Sequence, residues 1–156
     1  MAQSAYNRAL ELLSARPYTV RRLRTKLLQK EVPPDEADVV IQRLVEAGLL
    51  DDEKYALAYA RSKLVGAGSS KRRIRQDLQR RGISAETSDQ AVDQVIVDEE
   101  VDTRALVERV ARKKLASMGD LEPLVLRRRL YAFLARRGYD LDEIQAVMKG
   151  IGNQRD

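Results

Sequence analysis

The sequence predicts an all-α protein built as three tandem three-helix modules, stacked into an elongated, curved array. Three observations predict this fold class. Apolar residues recur at helical spacing along almost all of the 156 residues. The breaks between periodic segments carry glycine, proline and helix-capping residues. A pattern of apolar and basic residues also returns twice at nearly constant distance, which indicates an internal repeat.

The periodicity predicts nine helices, three in each module. In chain order they cover about Ala5–Arg16, Thr19–Lys30 and Pro34–Ala47, then Asp52–Val65, Ser70–Arg81 and Ser84–Val97, and finally Asp102–Ala116, Leu124–Arg137 and Leu141–Gly150. Asp51-Asp52 after Leu50, and Asp140 with Glu143, are typical of helix starts. The β-branched run Val95-Ile96-Val97 favours a helix least, because such a run also suits a short strand.

The repeat is clearest in the second helix of each module. Its apolar pair is Leu23-x-x-x-Leu27, Ile74-x-x-x-Leu78 and Leu130-x-x-x-Leu134, at offsets of 51 and 56 residues. At equal distances follow Lys30-Glu31-Val32, Arg81-Gly82-Ile83 and Arg137-Gly138-Tyr139. This predicts modules at residues 1–49, 50–100 and 101–152, with a C-terminal tail at 153–156. Modules this small bury their apolar faces against neighbours, so we expect a stacked array.

Composition excludes several function classes. The chain has no cysteine and no histidine, which excludes disulfides, thiolate or imidazole metal sites, and catalysis by either residue. No nucleophile–base pair stands out, so we expect no enzyme activity, no cofactor and no metal. Asp51-Asp52-Glu53 is better explained as a helix cap than as a metal site, and Gly66–Lys71 lacks the spacing of a phosphate loop.

No apolar run approaches the ~20 residues that cross a bilayer, and the first residues form an amphipathic segment rather than an apolar signal. We therefore expect a cytoplasmic protein that does not contact membranes.

Charge is segregated in register with the repeat. The second helices, residues 19–30, 70–81 and 124–137, hold 16 of the 29 basic residues and 1 of the 24 acidic ones. Their net charge is +15, against −10 for the rest of the chain. An ordinary solvated helix face would mix both signs in i,i+4 pairs. The segregation instead indicates a surface for a polyanion or an acidic partner.

Helical geometry points most of these arginines away from the apolar pair, at ~100° per residue. Lys30, Arg81 and Arg137 fall nearer the edge of the core. No aromatic row accompanies the arginines apart from Tyr131 and Phe133, so contacts to nucleic acid should reach phosphates, without sequence specificity. The candidate filament- or nucleic-acid-binding residues are Arg21, Arg22, Arg24, Arg72, Arg73, Arg75, Arg80, Arg128, Arg129 and Arg136.

Three motifs resemble the RecX family, regulators of the bacterial RecA recombinase. They are Leu49-Leu50-Asp51-Asp52-Glu53-Lys54-Tyr55-Ala56-x-x-Tyr59, Arg73-Ile74-Arg75-Gln76-Asp77-Leu78-Gln79-Arg80-Arg81-Gly82-Ile83 and Phe133-Leu134-Ala135-Arg136-Arg137-Gly138-Tyr139. The resemblance runs from about Ala5 to Ile151. The stretch from Gly68 to Ile74 is about one residue longer than the family pattern, and Tyr55 replaces an expected Phe.

The resemblance implies three three-helix repeats and a non-enzymatic monomer that acts in DNA repair, recombination and the SOS response. It would bind in the groove of the RecA–single-stranded DNA filament and inhibit ATPase, strand exchange and co-protease activities. Two alternatives stay open on the residues alone. One is a non-sequence-specific architectural DNA-binding protein that acts without RecA, and the other is a helical scaffold with no nucleic-acid role.

Overall fold

Residues 2–153, the part of the chain that the computed structural model describes, form nine α-helices and no β-strand. The first module contains α1 (Ala2–Ala15), α2 (Val20–Gln29) and α3 (Pro34–Glu46). The second contains α4 (Asp52–Arg61), α5 (Lys71–Arg80) and α6 (Ala85–Asp98), and the third α7 (Thr103–Met118), α8 (Pro123–Arg136) and α9 (Leu141–Asn153). The predicted tail, residues 153–156, begins on the last residue of α9, and 154–156 lie outside the described residues.

Capping residues stand where the sequence predicted helix starts. Asp51 accepts a hydrogen bond at 3.1 Å from the backbone N–H of Lys54 at the start of α4. Asp140 and Glu143 cap α9 reciprocally, with bonds of 2.8 and 2.9 Å between each carboxylate and the other's N–H. These bonds use N–H groups that a helix start otherwise leaves unpaired.

Two regions refine the predicted elements. The run Val95-Ile96-Val97 lies inside α6, where Val95 is fully buried, so the helical prediction is confirmed. The predicted helix Asp52–Val65 instead changes character after Arg61 and ends in a π-helical turn, Ser62–Gly66. That turn buries Leu64 in the second module.

Each module has its own apolar core. The predicted core leucines Leu27, Leu78 and Leu134 are each fully buried, one in each of three separate clusters. The helices pack mainly against the other helices of their own module. The repeat in the sequence therefore corresponds to three separately packed units.

The accessible surface shows that these units do not collapse into one sphere. It measures 10,017 Å², whereas a compact monomer of 17.7 kDa exposes about 7,900 Å². An elongated array accounts for the excess, because modules in a row cover less of one another than layers around one core. The curvature of the array stays a prediction.

Separate cores predict local damage from a core mutation. Leu134→Ala should cost about 2–5 kcal/mol because it opens a cavity in the third core. Hydrogen exchange should show lost amide protection in α7–α9 with α1–α3 still protected, since contacts in such arrays are between neighbours. Equal loss of protection in all three modules would show a single cooperative core and contradict this account.

Candidate nucleic-acid interface

The three basic helices meet end to end across the module junctions. Thr19, the N-cap of α2, donates its hydroxyl to the carbonyl of Arg81, the C-cap of α5, at 2.6 Å. Ser70, the N-cap of α5, donates in the same way to the carbonyl of Arg137, the C-cap of α8, at 2.9 Å. The start of α2 therefore lies on the end of α5, and the start of α5 on the end of α8. We call α2, α5 and α8 together the basic ridge.

Each junction hydroxyl has two functions at once. The Thr19 oxygen also accepts from the N–H of Arg22 at 3.2 Å, and the Ser70 oxygen from the N–H of Arg73 at 3.1 Å. Both residues are almost fully buried, so the hydroxyl satisfies one helix start and one helix end away from water. The arrangement also sets the negative end of one helix dipole against the positive end of the next.

The close approach of the modules requires a glycine after the C-caps of α5 and α8. Gly82 and Gly138 have φ of +95° and +93°. A Cβ on Gly82 would lie 2.5 Å from the Cβ of Arg21, and one on Gly138 would lie 2.6 Å from the Oγ of Ser70. Glu31 occupies the same place in the first module with φ of +66°, and its exposed position leaves room for a side chain. The repeated Arg-Gly pair is thus a junction signal.

Acidic residues at the first junction are helix caps. While Asp51 caps α4, Asp52 accepts from the N–H of Val20, the first residue of α2, at 2.9 Å. Among the described residues, no group of three acidic side chains is arranged to hold a metal ion. The two hydrogen bonds confirm the interpretation of Asp51 and Asp52 as caps.

The linker before α5 closes the second junction. The guanidinium of Arg137 donates to the carbonyls of Ala67 and Gly68 at 3.3 and 3.4 Å, and the Tyr139 hydroxyl donates to the carbonyl of Gly68. The linker at Ala67 and Gly68 therefore joins two helices of the second module and contacts the third module.

The structure places eight of the ten candidate arginines in solvent on the basic ridge. These exposed residues are Arg21, Arg22, Arg72, Arg73, Arg80, Arg128, Arg129 and Arg136. Among them, Arg80 lies 3.3 Å from the carboxylate of Asp77, one turn earlier in α5. The end-to-end junctions bring all eight onto one continuous element, which the sequence by itself does not show.

The other two candidates, Arg24 and Arg75, are half-buried and paired within their own modules. Arg24 lies 2.7 Å from Asp38 of α3, and Arg75 lies 2.9 Å from Asp89 and 3.7 Å from Asp93 of α6. The hydrogen bond between Arg24 and Asp38 raises the pKa of the guanidinium and lowers the pKa of the carboxyl. These pairs hold the basic helix against the acidic third helix.

The sequence places Arg81 near the edge of the core but does not predict which side chains it contacts. Its guanidinium donates to the hydroxyl of Tyr55 at 2.6 Å and lies 4.4 Å from the ring centre of Tyr59. The two rings stack with centroids 6.3 Å apart, and Tyr59 donates to Asp77 at 3.1 Å. Burial is the main cause that raises the pKa of Tyr59. The repeated Arg-Gly pair was the available signal for this junction.

No helix within the described residues is both long enough and apolar enough to cross a bilayer.

Comparison with known proteins places the same three units in sequence. Family models match the chain as the first three-helix domain of RecX at residues 5–44, the second at 51–92 and the third at 101–148. Regulatory protein RecX of Streptomyces coelicolor is 36% identical over 130 residues, which cover 83% of this chain and 68% of that protein. Regulatory protein RecX of Pelodictyon phaeoclathratiforme is 33% identical over 151 residues, covering 95% and 89%.

Solved structures agree on the fold. The crystal structure of RecX from Lactobacillus salivarius superposes with a TM-score of 0.82 at 19% identity and covers 97% of this chain and 96% of that one. A second crystal structure of a regulatory protein RecX gives a TM-score of 0.83 at 22% identity, with 95% and 71% covered.

The junction bond predicts an effect on two helices from one hydroxyl. Thr19→Val should lower the free energy of unfolding by about 1–3 kcal/mol, since it removes a cap and leaves a partly buried carbonyl without its donor. Urea unfolding gives the magnitude. Hydrogen exchange should show lost protection at both the start of α2 and the end of α5.

The matched control is Thr25→Val in the same helix, where an exposed hydroxyl donates only to the carbonyl of Arg21. It should change the free energy of unfolding by at most about 0.5 kcal/mol. If the loss of protection in Thr19→Val stays within α2, the bond to Arg81 does not join the helices.

Proposed function

The chain belongs to the RecX family of regulatory proteins, and we propose that it is a non-enzymatic negative regulator of a RecA-type recombinase. It binds in the groove of the RecA–single-stranded DNA filament and inhibits its ATPase, strand exchange and co-protease activities. The observation that supports this proposal most directly is the basic ridge, with exposed arginines on three helices joined end to end.

The length of the ridge suits a filament better than a single small ligand. Its helices contain 10, 10 and 14 residues, which at 1.5 Å each give a summed helical length of about 51 Å. Three linked helices of that summed length present arginines to several repeating units of a filament together. Weak contacts made simultaneously on linked modules add up to stable binding, because later contacts form at high effective concentration.

The charge distribution suits the two components of such a filament. Exposed arginines of the ridge bind phosphates or acidic protein surface through paired N–H donors. The acidic third helices pack beside the ridge and carry exposed carboxylates such as Asp35 of α3 and Glu86 of α6, which favour basic protein surface. Contacts to phosphate are independent of sequence and weaken with salt.

A second candidate function uses the same ridge. A non-sequence-specific DNA-binding protein that acts without RecA needs only the row of exposed arginines. The two functions differ in target, because the regulator prefers the filament over naked single strands beyond what salt-dependent affinity supplies. ATPase measured on single-stranded DNA at substoichiometric ratios of this protein to RecA separates them.

Charge reversal in the central helix tests the placement of the ridge. Changing Arg72, Arg73 and Arg80 together to Glu should abolish filament inhibition and weaken single-stranded DNA binding by several kcal/mol. If each arginine contacts one phosphate, the salt slope for naked single strands should fall by about 2, at ~0.7 per contact. Fluorescence anisotropy at several salt concentrations measures the slope, and circular dichroism checks the fold.

The control reverses three exposed cations on helices outside the ridge, Arg43 of α3 and Arg104 and Lys113 of α7, with the same change in net charge. This variant should keep most of its inhibition and its salt slope. Equal losses in both triple variants would show that net charge alone controls binding, which would sink the assignment to the ridge.

A further inference from the structure

The two module junctions follow one plan but differ in how the linker sits. Three residues, Ala67-Gly68-Ser69, precede the N-cap of the second basic helix, and their counterparts 51 residues earlier are Arg16-Pro17-Tyr18. At the second junction the linker lies directly on α7, so that a Cβ on Gly68 would be 3.1 Å from the Cγ2 of Val110. That junction is closed.

The first junction is open. Tyr59 and Val110 each lie eight residues after the N-cap of their helix, Asp51 for α4 and Asp102 for α7, so Tyr59 is the counterpart of Val110. A cleft of about 350 Å³ lies between the linker and α4. This volume is at the small end of the ~300–1,000 Å³ typical of ligand sites. The described residues that line the cleft are Arg16, Pro17, Tyr18, Arg22, Tyr55, Ala58, Tyr59 and Arg81.

The lining combines aromatic walls with guanidinium groups and includes no acidic residue. Arg81 is already stacked 4.4 Å from the ring centre of Tyr59. Arg16 donates from Nε to the Tyr18 hydroxyl at 3.1 Å, and its guanidinium lies 4.8 Å from the ring centre of Tyr18. These contacts hold the guanidinium at the cleft while the residue stays exposed. Arg22 is exposed as well and also belongs to the ridge, so the cleft opens onto the ridge.

This combination selects a flat aromatic group that carries a negative charge. A base stacks on tyrosine rings regardless of its identity, and a phosphate pairs with guanidinium groups. An acidic peptide side chain would use the arginines but leave the aromatic walls unfilled. The chemistry therefore favours a nucleotide over an acidic protein segment.

We propose that the cleft between the first and second modules takes one nucleotide of the single strand bound along the ridge. Its base packs against Tyr55 and Tyr59, which are half-buried and line the cleft, and its phosphate lies at Arg16 and Arg22. The inference rests on the proposed function in one respect, namely that single-stranded DNA is a partner. It adds a base contact to a surface whose other contacts reach phosphates.

The test fills the cleft without removing any side chain that builds it. Ala58 is exposed and lines the cleft, so Ala58→Phe occupies the space, whereas Ala116→Phe places the same ring on an exposed position of α7. Fluorescence anisotropy measures binding to oligo(dT) and to an abasic strand of equal length, at one salt concentration. The unmodified protein and Ala116→Phe should bind oligo(dT) more tightly than the abasic strand by about five-fold or more, because one stacked base contributes that much. Ala58→Phe should lose that preference and keep its affinity for the abasic strand.

A second measurement does not depend on a variant. Oligonucleotides that carry 5-iododeoxyuridine, irradiated with the unmodified protein, should cross-link to Tyr18, Tyr55 or Tyr59. Cross-links confined to other residues, or an equal preference for oligo(dT) in all three proteins, would overturn the cleft assignment but leave the ridge in place. If the unmodified protein binds neither strand and does not inhibit a filament, both the proposed function and this inference are overturned.

Discussion

A single hydrogen-bonding arrangement, used twice, aligns the modules: a buried hydroxyl at the start of one basic helix donates to the last carbonyl of the next. Thr19 and Ser70 are buried, and each satisfies a helix start and a partly buried helix end that would otherwise hold unpaired groups. A carbonyl that is withdrawn from water without a donor costs about 1–3 kcal/mol, so the contact fixes which helix ends meet. The basic ridge exists because the same helix of every module participates. An Arg-Gly pair stands at both contacts, and the acidic cap on Val20 and the tyrosines around Arg81 lie at the first.

Much of the fold was predictable because helix position and core membership depend on nearby residues. A 3.6-residue period places Leu23 and Leu27, or Ile74 and Leu78, on one buried face without knowledge of the rest of the chain. Departures occur at helix ends, where Thr19 and Ser70 act as caps rather than helical residues. The π-helical turn after Arg61 also left no period in the sequence to reveal it.

The candidate site was predictable in part, for the same physical reason. A helical projection suffices to place Arg22 or Arg128 in solvent. It does not identify the partners of Arg24 and Arg75, because those carboxylates lie on another helix of the module. The junction contacts join residues more than 60 positions apart. Only the return of a capping hydroxyl residue after 51 positions and of the Arg-Gly pair after 56 positions indicated them. The tyrosines of the cleft, Tyr18, Tyr55 and Tyr59, have no aromatic counterpart 51 residues later.

The central claim is that alignment of the helices, and not merely the number of arginines, makes the ridge a filament-binding surface. Gly138→Ala tests it most directly, because it keeps every arginine but forces a Cβ to 2.6 Å from the Oγ of Ser70. Gly48→Ala is the control, with φ of +73° after α3 and no atom within 4 Å of its Cβ. The measurement is inhibition of RecA ATPase on single-stranded DNA beside affinity for naked single strands. The account predicts that Gly138→Ala reduces inhibition of RecA ATPase by a much larger factor than it reduces affinity for naked single strands. Gly48→Ala should leave both quantities close to those of the unmodified protein. Equal inhibition by the two variants would contradict it.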